Sequence, residues 1–281
     1  MSMPAPLIRR LTPEEIETLV DWAAREGWNP GLADAEAFHA ADPAGFIGCF
    51  VEGEMAAGIA AVSYGTDFGF IGLYICRPDR RGKGYGRRVW DAGMAHLEGR
   101  VIGLDGVPGQ QENYRKMGFL PVYRTWRWSG VFPSAMVPLD NIVAVTPERL
   151  PALMDYDRAF FPGPREAFLK RWTAAPRLTL ALVGGNGIEG YGTLRQCREG
   201  CKIGPLFADD EKGAETLFSA LAARAEGQAI HIDVPETNPG FSRFLEKARF
   251  TKGFVTARML RGAAPAPPRA VPAGITTLEL G

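Results

Sequence analysis

The order of apolar and polar positions divides the chain into short strands alternating with helices. Leu7–Arg10 predicts a first strand. Thr12-Pro13-Glu14-Glu15 opens a helix, with a capping hydroxyl, a proline in the first turn and acidic residues suited to a helix N-terminus. Ile16, Leu19, Val20 and Ala23 form its apolar stripe, and Trp22, Trp28, Asn29 and Pro30 lie at or beyond its end. A second helix is predicted over Asp34–Ala41. The apolar runs Phe46–Glu52 and Met55–Tyr64 meet at Glu52-Gly53-Glu54, a hairpin pattern. Phe70–Ile75 has the length and aromatic, β-branched content of a buried strand. Behind it, Val89, Gly93 and Leu97, and likewise Trp90 and Met94, recur at the spacing of one helical turn. Val101–Leu104 predicts a strand, Asn113–Met117 a short helix and Pro121–Val131 a last strand. In that strand Val122, Arg124, Trp126 and Trp128 alternate with Tyr123, Thr125 and Arg127.

The same series then starts again. Val51–Gly65 is echoed by Val183–Cys197, and Ile71-Gly72 by Ile203-Gly204, at a constant offset of 132 residues. Leu104-Asp105 with Val107-Pro108 reappears as Ile232-Asp233-Val234-Pro235, and YRKMGF at 114–119 as LEKARF at 245–250. Ordered anchors at nearly one offset indicate a duplicated domain. The expected division is a first domain over 1–135, a second over 139–262 and a proline-rich linker with a docking tail over 263–281, the stretch 132–138 joining the two domains. Within the last part, Ala263–Gly274 predicts extended chain. The apolar residues of Ile275–Leu280 predict that it docks as a short strand or lid.

Composition narrows the picture. The 281 residues carry 32 Lys plus Arg against 32 Asp plus Glu, so no global field favours nucleic acid. No apolar run approaches membrane-spanning length, and the first ten residues lack a signal-peptide core, so a cytoplasmic address is expected. Cys49, Cys76, Cys197 and Cys201 form no paired C-x-x-C set, and the three histidines are scattered, so neither a structural metal nor a disulfide is expected.

Positive charge is concentrated in one place. Between the strand at 70–75 and the helix from about 89 stand Gly82, Gly84 and Gly86, with Arg80, Arg81, Lys83, Arg87 and Arg88 around them. Glycines let successive N–H groups converge, and a helix start adds unpaired N–H groups and a partial positive charge. Such a loop suits a phosphate or pyrophosphate. It is not a P-loop, because Lys83 is followed by glycine, and G-x-G-x-x-G fails from both Gly82 and Gly84.

Arg81, Gly84 and Gly86 match R-x-x-G-x-G, which resembles the acyl-CoA pyrophosphate loop of the GNAT N-acetyltransferases. Asn113, Tyr114, Gly118 and Phe119 resemble the N…Y-x-x-x-G-F segment of the same family. The resemblance covers residues 7–131. The second half looks like a YitH-type GNAT domain through Gly190–Arg195 and Ile203–Leu206. It implies an α/β (α+β) protein of tandem duplicated GNAT folds, each a mixed, mostly antiparallel sheet flanked by helices. The implied activity is transfer of an acetyl or acyl group from acetyl-CoA to an amine by direct attack, with a small-molecule acceptor, a peptide or protein amine being the alternative, and no metal. A non-catalytic acyl-CoA sensor is the alternative.

By the same resemblance, Tyr74, Ile75, Cys76, Arg81, Gly82, Lys83, Gly84, Tyr85, Gly86, Arg87 and Asn113 are candidates for holding the coenzyme. A backbone N–H near Tyr74–Cys76 would polarise the thioester carbonyl, and Tyr114 would protonate the departing thiolate. Many relatives carry a carboxylate on the central strand to accept the amine's proton; Phe70–Cys76 has none. Asp105 is the candidate in its place, with Glu112 a further one. Trp22, Trp28, Tyr191 and Arg195 are candidates for the acceptor pocket, and Tyr156, Asp157, Arg158, Asp233 and Asn238 are further polar residues of interest. The second copy lacks the loop. Ala208–Lys212 is short and acidic, with a helix expected from near Gly213, and Leu245 and Arg249 replace the tyrosine and glycine. One acyl-CoA site per chain is expected. Replacing Gly84 by Glu puts a side chain and a negative charge into the loop, and coenzyme A affinity measured by titration calorimetry is expected to fall about tenfold or more.

Overall fold

A computed structural model describes residues 5–133, 141–263 and 272–281. The linker expected at 132–138 and the proline-rich stretch at 263–274 fall largely outside them. The first half comprises β1 (Leu7–Arg10), α1 (Pro13–Arg25), α2 (Asp34–Ala41), β2 (Phe46–Val51), β3 (Glu54–Tyr64), β4 (Phe68–Cys76), α3 (Tyr85–His96), β5 (Val101–Gly106), α4 (Gln111–Lys116) and β6 (Leu120–Gly130). The second comprises β7 (Ile142–Ala144), α5 (Leu150–Asp157), α6 (Glu166–Trp172), β8 (Leu178–Gly184), β9 (Gly187–Gln196), β10 (Cys201–Ala208), α7 (Glu211–Ala222), β11 (Ile230–Pro235), α8 (Pro239–Lys247) and β12 (Thr251–Arg261). Local signals act as expected at α1: the Thr12 hydroxyl accepts from the Glu15 N–H, and the Glu15 carboxylate accepts from the Thr12 N–H.

Among the described residues twelve strands form one sheet, in the order β1-β2-β3-β4-β5-β12-β6-β11-β10-β9-β8-β7. Only β4–β5 and β10–β11 are parallel. The two halves have exchanged their last strands. The first half's β6 pairs with β11 of the second, β12 pairs with β5 of the first, and β6 and β12 pair with each other, Thr125 opposite Thr256.

Ion pairs secure the exchange from both sides. Arg258 on β12 donates from Nε and Nη2 to the two Asp105 oxygens on β5, each at 2.9 Å. Arg127 on β6 donates in the same way to Asp233 on β11, at 2.8 and 2.9 Å. These are counterparts in the duplication. A third bridge runs from Asp34 at the start of α2 to Arg177 and Arg195 of the second half.

Alternate strand positions face different cores. Ala60, Val62 and Tyr64 of β3 share one core with Phe160, Phe161, Trp172 and Tyr191 of the second half, while Ala57, Ile59 and Ala61 face a second core with Val89 and Trp90 of α3. A third core lies between β10–β11 and the helices α7 and α8.

Each parallel pair opens partway along. β4 and β5 pair only from Phe68↔Val101 to Ile71↔Leu104, and β10 and β11 only from Cys201↔Ile230 to Ile203↔Ile232. Beyond these points, shifts in register with β3 and β9 mark bulges, and Leu73 takes a positive φ of 46°. The segment 272–281 runs along these openings. The Leu206 N–H donates to the Gly274 carbonyl, and the Ile275 N–H to the Asp233 carbonyl. The segment docks through turns and one isolated bridge, Leu206↔Gly274, where a short strand or lid was expected. The duplicated glycines explain its fit. A Cβ on Gly72 would stand 1.8 Å from the Glu279 carbonyl oxygen, and one on Gly204 2.5 Å from that of Thr276.

Removing one partner of the buried Arg127–Asp233 pair leaves the other charge uncompensated, so Arg127→Met is expected to cost about 3–5 kcal/mol in urea unfolding. Burial pushes the Asp233 carboxyl up, but Arg127 and Lys202 outweigh it and bring the pKa down to about 2. This lies below the unfolded aspartate value of about 3.9. Its stabilisation is therefore present in full above about pH 4 and is lost as the pH falls through about 2. In Asp233→Asn that part of the acid-dependent loss is expected to be missing from pH-resolved melts.

Candidate active site

The glycine loop joins β4 to α3. Gly84 is the residue before the helix, in the left-handed conformation at φ 80°, which a side chain would strain. The first intrahelical bond described runs from the Arg88 N–H to the Gly84 carbonyl, so the N–H groups of Tyr85, Gly86 and Arg87 precede the ladder. The Gly86 N–H faces the Cys76 thiol, whose pKa burial raises. Arg81 donates to the Cys76 carbonyl at 3.0 Å and to Glu26, after α1, at 2.7 Å. Lys83 reaches the Asp79 carbonyl at 3.4 Å, and Arg87 pairs with Asp91. Most of the loop is exposed.

The loop borders a cavity of about 390 Å³ in the opening between β4 and β5. One wall is Ile71–Cys76 of β4 with Arg81; the opposite wall is Leu104 and Asp105 of β5, Val107, Gln110 and Tyr114. Glu26 and Trp28 close one side, and Phe254, Thr256, Leu278 and Glu279 of the second half complete it. The Tyr114 ring stacks on Trp90 of α3 at 5.7 Å between centroids. Burial raises its phenol pKa, and Tyr74 raises it further, so the phenol keeps its proton at neutral pH.

The turn after α1 is held from β10 of the second half and from β6. Lys202 donates to the Asn29 carbonyl at 2.8 Å, and Arg127 to the Trp28 carbonyl at 2.8 Å. Burial, then Arg127, pull the Lys202 pKa down to about 8, against Asp233 and Glu279. Trp28 is thereby set at the cavity wall.

The sequence candidates divide by position. Tyr74, Ile75, Cys76, Arg81, Asp105, Tyr114 and Trp28 line the cavity. Gly82, Lys83, Gly84, Tyr85, Gly86 and Arg87 form the adjoining loop and helix start. Asn113 is exposed and donates to Gln110. Trp22 packs partly buried against the shared core. Tyr191 and Arg195 are fully buried elsewhere, the first donating to Asp157 and the second to Asp34 beneath Trp172. Asp157 is itself held by both nitrogens of Arg165. Asp105, the candidate base, has each oxygen occupied by Arg258. Its counterpart Asp233 is bound alike in the half without a glycine loop. Sequence reading missed Phe254, Thr256, Leu278 and Glu279. The apolar spacing of 275, 278 and 280 marks the docking segment, but nothing local says which cavity it reaches.

The equivalent place in the second half is closed. The Asp210 carboxylate caps α7, accepting from the Gly213 N–H at 2.7 Å, and the helix starts at Glu211, two residues earlier than expected, because this side chain replaces a loop. The opening between β10 and β11 holds Gly274 and Ile275 of the segment 272–281. Among the described residues no group of three or more His, Cys, Asp or Glu could hold a metal ion. No helix of those residues is long and apolar enough to cross a membrane.

Comparison with known proteins defines the class. Residues 13–119 match the model of the acetyltransferase (GNAT) family, and 153–271 that of an acetyltransferase (GNAT) domain. The chain is 34% identical over 270 residues to a holothin acyltransferase of Pseudoalteromonas sp. (strain SANK 73390), covering 95% of this chain and 92% of the relative. The chain therefore belongs to the GNAT acetyltransferases, with two GNAT domains in tandem, and is an acyltransferase. A protein of Pyrococcus horikoshii, solved as a candidate acetyltransferase, has the same fold with a TM-score of 0.81 and 22% identity, covering 100% of this chain and 98% of that one. A tandem GNAT protein from the clavulanic acid biosynthesis pathway follows at a TM-score of 0.62 and 12% identity, covering 93% and 100%.

One open loop and one capped helix imply unequal halves. Calorimetric titration with coenzyme A is expected to give one site per chain, and reversing the cap charge with Asp210→Lys is expected to leave that stoichiometry at one.

Proposed function

We propose that the protein transfers an acetyl group from acetyl-CoA to the amine of a small molecule, in the cavity between β4 and β5. The observation that carries this reading is the contrast between the halves. The first joins an uncapped helix start, flanked by arginines, to an open cavity containing Tyr114; the second presents a carboxylate and a filled opening at the same positions.

In this reading the loop from Arg81 to Arg87 takes the diphosphate on its N–H groups, with Arg81 and Lys83 adding charge. The acyl arm lies along Tyr74–Cys76, where the strand's freed N–H groups polarise the thioester carbonyl. The amine nitrogen attacks that carbon, the carbon–sulfur bond breaks, and the thiolate takes the Tyr114 phenol proton. The amide nitrogen returns a proton to the phenolate. A phenol donates to a thiolate of lower pKa only if transfer accompanies bond cleavage, so a concerted step is expected. Asp105 serves by holding β5 to β12 through Arg258 and so fixing the width of the opening. Trp28 and Phe254 give the acceptor aromatic walls. The name of the Pseudoalteromonas relative makes holothin the first acceptor to test here.

Purified protein with acetyl-CoA and holothin, and with a panel of primary amines, is expected to yield an acetylated product by mass spectrometry. Tyr114→Phe is expected to lower kcat about 100-fold while coenzyme A affinity stays within twofold. Absence of coenzyme A binding by the wild type would overturn the reading.

A further inference from the structure

Acetylation of an alkylammonium ion requires a group to remove its proton, and β4 carries no carboxylate to do so. Three carboxylates line the cavity: Glu26, Asp105 and Glu279. Glu26 is engaged by Arg81, and Asp105 has both oxygens on Arg258. Glu279 differs. Its Oε2 accepts from the Thr277 hydroxyl, but its Oε1 is buried with no partner. An unpaired buried carboxylate oxygen is costly and calls for an explanation. Thr256, on the same cavity, also has a buried hydroxyl without a partner.

The backbone fixes Glu279 in place. Its carbonyl lies against Gly72 of β4, where any larger residue would collide with it. Its neighbour Leu280 accepts through its carbonyl from the Tyr64 hydroxyl at 3.0 Å, and Arg165 donates to the Thr276 hydroxyl at 2.9 Å. The charged or ionisable groups whose fields bear on Glu279 come from several elements: Asp105 on β5, Arg127 on β6, Lys202 on β10, and Cys197 just past β9.

We infer that Glu279 accepts the proton of the acceptor's ammonium, and that Thr256 gives the bound amine a second polar contact. This rests on the acyl-CoA reading of the cavity. The step balances. The ammonium gives one proton to the Glu279 carboxylate, the neutral amine forms the carbon–nitrogen bond as carbon–sulfur breaks, and Glu279 returns its proton to water between turnovers. The acceptor is accordingly a primary amine that is protonated in neutral solution. The docking tail that follows the second domain would thus supply the base to the first.

The test compares wild type with Glu279→Gln and Glu279→Asp in coenzyme A titration, in acetyl-CoA hydrolysis without acceptor, and in acetylation of holothin and a panel of primary alkylamines. For Glu279→Gln, coenzyme A affinity is expected to stay within twofold, while hydrolysis and alkylamine acetylation fall about 100-fold, with only partial recovery, to about a tenth of the wild-type rate, in Glu279→Asp. The acidic limb of the pH–kcat/KM profile is expected to vanish in Glu279→Gln. A wild type that binds no coenzyme A overturns the acyl-CoA reading and this inference with it. A wild type that binds and turns over, matched in rate and pH profile by Glu279→Gln, overturns the role of Glu279 alone. If Glu279→Gln does not fold, Glu279→Asp decides: it retains the charge one methylene back, and an unchanged kcat refutes the assignment.

Discussion

Two buried aspartate–arginine pairs, Asp105 with Arg258 and Asp233 with Arg127, hold each half's last strand in the other half's sheet. A buried charge left alone is far costlier than one matched by a two-point guanidinium contact. Each aspartate therefore needs an arginine from beyond its own half, apart from whatever apolar packing provides. The exchange makes one twelve-stranded sheet from two duplicated units and sets the opening between β4 and β5 beside residues of β12. A cavity shared by both halves follows from this pairing.

Duplication produces equivalent places, and small local changes then assign them different uses. In the first half, glycines at 82, 84 and 86 leave a helix start free. In the second, Asp210 supplies the anion that such a start favours, and no external one is needed. The bulged openings beside the parallel pairs are likewise equivalent, yet one remains a cavity, edged by Leu278 and Glu279, and the other receives Gly274 and Ile275. Gly72 and Gly204 show that the segment depends on both halves, since each glycine provides the close approach that a Cβ would forbid. The second half also lines the cavity, through Phe254 and Thr256. Through Lys202 it also holds the turn that carries Trp28, together with Arg127 of the first half's β6.

Buried polar groups mark where structure and chemistry divide. Tyr191 and Asp157 have ordinary reasons to be polar, because each completes a bond inside the shared core. Glu279 and Thr256 lack such completion and lie on the cavity. The distinction is one of accounting for hydrogen-bond partners. Residue type alone does not reveal it: the aspartates and glutamates of this chain include caps, ion-pair partners and a candidate base.

The sequence by itself determined what depends on neighbours along the chain. Hydrophobic period, the Thr12–Glu15 cap, the hairpin at Gly53 and the glycine loop are local choices, so these elements were legible at nearly their true bounds. The duplication was legible too, because an offset is a property of order alone. Pairing at long separation was decided only by the tertiary structure. Asp105 and Arg258 stand 153 positions apart, and Glu279 meets Gly72 from 207 positions away. No periodicity specifies which strand edge a segment joins, or whether a carboxylate arrives there already neutralised. Asp105 thus reads as a candidate base in sequence and is found with both oxygens on Arg258, whereas Glu279 reads as part of a docking tail and is found lining the cavity.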